Sequence, residues 1–108
     1  MITHVQGKLV EKNPSFVIID CNGIGYILRI SLQTFSMLPN TENCMLFTHL
    51  SIKEDAHTLY GFFDKDEREL FRLLISVSGV CPNTAQMILS SLTTHEIQKA
   101  IITENVSV

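Results

Sequence analysis

The stretch CMLFTHLSIKEDAHTLYGFF, residues 44–63, decides the fold. From Cys44 to Ile52, Leu46, Thr48, Leu50 and Ile52 fall on one side and Met45, Phe47 and His49 on the other, which is the period of two of a β-strand. Both sides are largely apolar, so the strand is expected to be buried on two faces. Lys53-Glu54-Asp55-Ala56 interrupts the pattern, and residues 57–63 resume it with Leu59, Tyr60, Phe62 and Phe63. Two long strands therefore meet at a charged tip.

Upstream, residues 2–12 form a first strand around Val5 and Leu9, ended by the turn signal Asn13-Pro14. Phe16 to Cys21 is a dense β-branched and aromatic run, and Asn22-Gly23 tolerates the positive φ of a tight hairpin. Strand three follows over residues 25–30. Leu32, Phe35 and Leu38 recur at spacing three and stop at Pro39, which predicts one or two helical turns plugging one end of a barrel. Five short strands with a small helix between the third and fourth give an OB-type barrel, a fold often used for nucleic acids. Fold alone does not fix function.

At Asp64 the period changes to about 3.6, with Leu70, Phe71, Leu74, Ile75 and Val77 at helical spacing. Asp64 or Asp66 is the expected N-cap, and the run DKDERE reads as a solvated first turn. Gly79-Val80-Cys81-Pro82 then leads into a second helical run carrying Ala85, Ile88, Leu89 and Leu92, an αα-hairpin. A third short helix is expected from Thr93 or Thr94 toward Ile102.

The chain has 108 residues, length for one compact domain or for a very small one plus part of another. Apolar residues make up 45% and charged residues 18%, so some apolar surplus is expected to face a partner subunit. Eight Lys and Arg stand against eleven Asp and Glu, a net charge of -3, so the overall basic footprint of a general nucleic-acid binder is missing. DNA contact must then come from local arrangement. No stretch reaches the roughly 20 apolar residues needed to span a bilayer. Cys21, Cys44 and Cys81 match no metal-ligand spacing and read as free thiols in a reducing cytoplasm. His49, His57 and His95 lack ligand spacing too. With no nucleophile-base constellation and no Gly-rich nucleotide loop, neither catalysis nor a cofactor is expected.

Read together, KEDAHTLYGFFDKDERELFRLLISVSGV resembles the RuvA family, the Holliday-junction-binding subunit of the bacterial branch-migration complex. GKLVEK, NGIGYIL, TFSMLP and FTHLSIKEDA follow in that family's order, so the resemblance covers nearly the whole chain. It implies an α+β fold: a five-stranded OB-fold barrel over residues 1–63, then a partial helix-hairpin-helix domain over residues 64–108. It further implies a non-catalytic subunit that binds four-way junction DNA in recombination and repair. The implied assembly is a homotetramer, partnered by a ring-shaped ATPase motor. The family's acidic pin corresponds to Glu54 and Asp55, whose charge near a four-fold axis would repel phosphates and favour strand separation.

Gly79, Val80, Cys81, Pro82, Asn83 and Thr84 correspond to the first helix-hairpin-helix. There a turn points backbone N–H groups at phosphate, favouring shape over sequence. The family usually has Gly-Val-Gly-Pro-Lys where this chain has Cys81 and Asn83. Cys takes positive φ less readily than Gly, and the lost Lys removes a phosphate-neutralising charge. Lys8, Arg29, Lys53 and Lys65 are further cations that could touch the DNA backbone. The second hairpin and the motor-binding domain would follow residue 108, so the chain is expected to be part of a longer protein. Two other readings exist. One is an OB-fold protein-interaction or assembly domain with weakened DNA binding; the other is a nuclease holding Mg2+ with carboxylates.

Overall fold

Asn22 and Gly23 adopt positive φ, +54° and +97°, and reverse the chain between β2 (Phe16–Cys21) and β3 (Ile24–Arg29). The Asp20 side chain accepts the Gly23 N–H at 2.7 Å and tightens this two-residue turn. The computed structural model describes residues 2–39, 43–76 and 79–91. In it β1 (His4–Lys12) serves two neighbours, pairing antiparallel with β2 through Lys8–Lys12 and with β4 (Asn43–Lys53) through His4–Lys8. Such double service brings the backbones close together at Gly7, where a Cβ would stand 2.3 Å from the Asp20 carbonyl oxygen. Only glycine fits there. A register shift between Leu9 and Glu11 bends the strand further.

β4 and β5 (Ala56–Phe62) form the long hairpin read from the sequence, and β5 joins β3 in parallel at Leu28↔Leu59 and Arg29↔Tyr60. The result is a closed barrel in the order β1-β2-β3-β5-β4. Val5, Val17, Ile19, Leu28, Ile30, Cys44 and Leu46 fill it. The helix α1 (Leu32–Met37) starts at Ser31, whose hydroxyl accepts the Thr34 N–H at 3.1 Å, and delivers Phe35 and Leu38 to the same core. It closes the barrel as its spacing predicted.

The expectation that β4 is buried on both faces is corrected. Cys44, Leu46 and Thr48 are buried, but Met45 on the opposite side is 40% exposed and Ile52 is 62% exposed. Cover on the outer face begins only at Phe47, under Lys65 and Arg68, whose charged ends lie 5.6 and 5.4 Å from the ring centroid. Next along, His49 tilts against Phe71 at 5.3 Å. The strand outgrows what its neighbours can cover.

A second core lies outside the barrel. Tyr60 and Phe62 of β5 pack with Leu70, Phe71 and Leu74 of α2 (Lys65–Ser76) and with Ala85 and Leu89 of α3 (Pro82–Ser91). Phe71 is central to it, with ring centroids of Tyr60 and Phe62 at 5.1 and 5.0 Å. Asp64 is the N-cap of α2, its Oδ1 accepting the Glu67 N–H at 2.8 Å. The acidic run behind it is not solvated throughout: Asp64, Asp66 and Glu69 are exposed, but Glu67 is buried. The expected helix after Thr93, with Val77, Ser78, Leu92 and His95, lies outside the described residues.

Candidate functional site

The β4–β5 ladder runs to Lys53↔Ala56, so Glu54 and Asp55 are the two-residue turn of the hairpin. Both are exposed, and neither adopts positive φ. Among the described residues the one ion pair within 4 Å joins Arg72 to Glu69 on α2, so both tip carboxylates face solvent uncompensated. No group of three His, Cys, Asp or Glu among the described residues could hold a metal ion.

The second predicted element, Gly79–Thr84, begins with Gly79 at φ +70°. Val80 then donates its N–H to the Leu74 carbonyl at 3.3 Å and packs on the second core, which ties the turn to the end of α2. Pro82 opens α3, where a missing N–H costs nothing. The first helical hydrogen bond comes from Ala85 N–H to the Cys81 carbonyl at 2.9 Å, leaving the N–H groups of Asn83 and Thr84 at the open end.

Cys81 is exposed and, contrary to the concern raised by its sequence, needs no positive φ. Its effect is chemical. The thiol sits 3.1 Å from the Thr84 hydroxyl and lies beside the backbone N–H groups of Thr84 and Asn83. These contacts, the Thr84 hydroxyl first, hold the thiol below its ordinary pKa, with the charge of Lys53 adding to them. Cys81 therefore competes with an anion for the donors at the start of α3.

Three polar ties join one face of α3 to the barrel. Tyr60 Oη donates to Asn83 Oδ1 at 3.2 Å, Gln86 Nε2 to the Arg29 carbonyl at 3.1 Å, and the Leu32 N–H to Ser90 Oγ at 3.0 Å. Asn83, Gln86 and Ser90 recur at helical spacing, so the whole face of α3 is positioned at once. Burial pushes the Tyr60 hydroxyl above its usual range, against the opposing charge of Arg29.

Sequence reasoning missed Glu67. Ser31 Oγ donates to its Oε2 at 2.7 Å and Thr34 Oγ1 donates to its Oε1. Burial raises the carboxyl above the usual range, opposed by these hydroxyls and by the Phe63 N–H, while neighbouring Asp64 raises it further. Ser31, the cap of α1, is thus also the anchor of α2. Extending the stripe Leu74, Phe71, Leu70 back by one helical step lands on Glu67, and that was the available signal.

Residues 1–61 match the family described as the RuvA N terminal domain. The chain belongs to the RuvA N-terminal domain family. Curated relatives extend the RuvA likeness beyond the barrel. It is 59% identical to a protein of Christiangramia forsetii over 99% of this chain and 55% of that protein. For a Flavobacterium psychrophilum protein the identity is 58%, over 94% and 52%. For one from Neisseria meningitidis it is 50%, over 98% and 55%. Each of the three is named "Holliday junction branch migration complex subunit RuvA". The chain spans about half the length of these RuvA relatives. The acidic tip lies inside the matched RuvA domain, and the Gly79–Thr84 turn lies beyond it but within the 107 residues aligned with the first relative.

Proposed function

We propose that this chain binds four-way DNA junctions, as the non-catalytic recognition part of a branch-migration complex acting in recombination and repair. The observation that carries this reading is the likeness to RuvA subunits over 94 to 99% of the chain, which takes in both the tip and the turn. The geometry supports it. A phosphate docks on the N–H groups of Asn83 and Thr84 at the start of α3, read by shape and not by base. Glu54 and Asp55 repel phosphate from the crossover and favour strand separation there. The described helices α2 and α3 are the helix-hairpin-helix part of this recognition subunit. The assembly it serves is a cytoplasmic homotetramer that works with a ring-shaped ATPase motor.

The test is a titration of a synthetic four-way junction and of linear duplex of the same length at two salt concentrations. Tighter binding of the junction, with a log–log salt slope reflecting a few phosphate contacts, is expected. Equal affinity for the two DNAs would overturn the reading.

A further inference from the structure

The face of α3 that is tied to the barrel borders a groove of about 330 Å³, lined among others by Ser15, Arg29, Tyr60, Asn83 and Met87. Among the described residues, Arg29 is the one charged side chain that lines it, and no carboxylate is in its lining. Arg29 therefore brings a local positive charge to this groove in a chain with eleven acidic and eight basic residues. Arg29 pairs across the sheet with Tyr60, whose hydroxyl bonds Asn83, and the Arg29 carbonyl is bonded by Gln86. Its backbone is therefore fixed against α3 while its side chain stays exposed and, among the described residues, outside any ion pair.

Of the other candidate cations, Lys53 acts on Cys81 at the turn itself and does not line the groove. Lys65 lies over Phe47 on the far side of β4, and Lys8 lines a separate crevice with Asp20 and Asn43. We propose that Arg29 supplies a phosphate contact from the barrel, so that a DNA strand docked on the N-terminus of α3 continues along this groove to β3. The inference rests on the junction-binding reading and adds a residue to it. Its electrostatic reach agrees: Arg29 acts on the Tyr60 hydroxyl, which is itself bonded to the turn.

The experiment compares the unmodified chain with Arg29→Gln, Arg29→Lys and Lys8→Gln, titrating the same synthetic junction at several salt concentrations. Because the structural bond at Arg29 uses its carbonyl, all variants keep the tie to Gln86. Arg29→Gln should bind about three- to tenfold more weakly and lose about one from the salt slope, with Arg29→Lys and Lys8→Gln keeping the slope. An Arg29→Gln slope equal to that of the unmodified chain, while junction is still preferred over duplex, overturns the inference and spares the junction reading. A slope change without any junction preference does the reverse. Failure of the unmodified chain to bind DNA overturns both.

Discussion

The acidic tip and Glu67, with eleven residues between Asp55 and Glu67, have opposite fates. Glu54 and Asp55 stand in water at the end of a hairpin that outgrows the barrel, whereas Glu67 is enclosed and takes hydroxyl bonds from Ser31 and Thr34. The carboxyl group is the same; its surroundings assign the task. At the tip a free charge can act on DNA at a distance, while at Glu67 the hydroxyl bonds to the carboxyl group hold α2 against α1. Since α2 leads directly into the Gly79–Thr84 turn, the buried carboxylate sets where the exposed site stands relative to the barrel.

The largest effect is expected from removing the buried group. Glu67→Ala leaves the Ser31 and Thr34 hydroxyls without their acceptor in a closed environment and should destabilise the fold by about 2–4 kcal/mol. Urea denaturation measures this. Removing the exposed charges with Glu54→Gln and Asp55→Asn should shift stability by no more than about 0.5 kcal/mol. The double variant should instead alter junction processing more than affinity. A fluorescent base analogue at the crossover would report less unstacking than with the unmodified chain. A collapse of affinity with unchanged unstacking would reverse the roles assigned to the tip.

Much of this contrast was legible before the fold was known. The alternation in residues 44–63 and the change of period at Asp64 located the tip, the barrel and the start of α2. Asn22-Gly23 marked its hairpin, and Asp64 was recognisable as a cap, because these signals are local. Glu67 was hidden because its partners lie 36 and 33 residues upstream, and its charged neighbours suggested water. The burial of β4 was overestimated for a related reason: apolar residues on two faces say that cover is wanted, but not how far a neighbouring helix reaches. Arg29 was one of four cations until the ties from Gln86 and Tyr60 placed it beside α3.

A smaller effect should separate the turn from the tip. Cys81→Gly together with Asn83→Lys frees the Asn83 and Thr84 N–H groups from the thiol and adds a cation. Junction binding should tighten and the log–log salt slope should steepen by about one. An unchanged slope would mean that this turn does not meet phosphate, leaving the tip without its partner. The Cys81→Gly change alone separates the two contributions, since it releases donors without changing the count of basic residues.

The smallest effect is in pH dependence, where Glu67 and His49 oppose each other. His49 is pushed below its ordinary value near 6.5, first by burial and then by Arg72 and Arg68, and its Nδ1 accepts from Arg72 Nε at 3.2 Å. Its neutral form is the folded one, so its contribution is present above about pH 6.5 and is lost as pH falls through the lower folded value. Glu67 is raised from about 4.5, so its contribution is present below that value and is lost as pH rises through the higher folded one. Acidification from pH 7 to pH 5 therefore weakens the fold at His49 while Glu67 compensates. Glu67→Gln removes the compensation, and its urea midpoint should fall more between pH 7 and pH 5 than that of the unmodified chain. An equal fall in both proteins would show that Glu67 takes up no proton in that interval, and that its enclosure shifts it less than its burial implies.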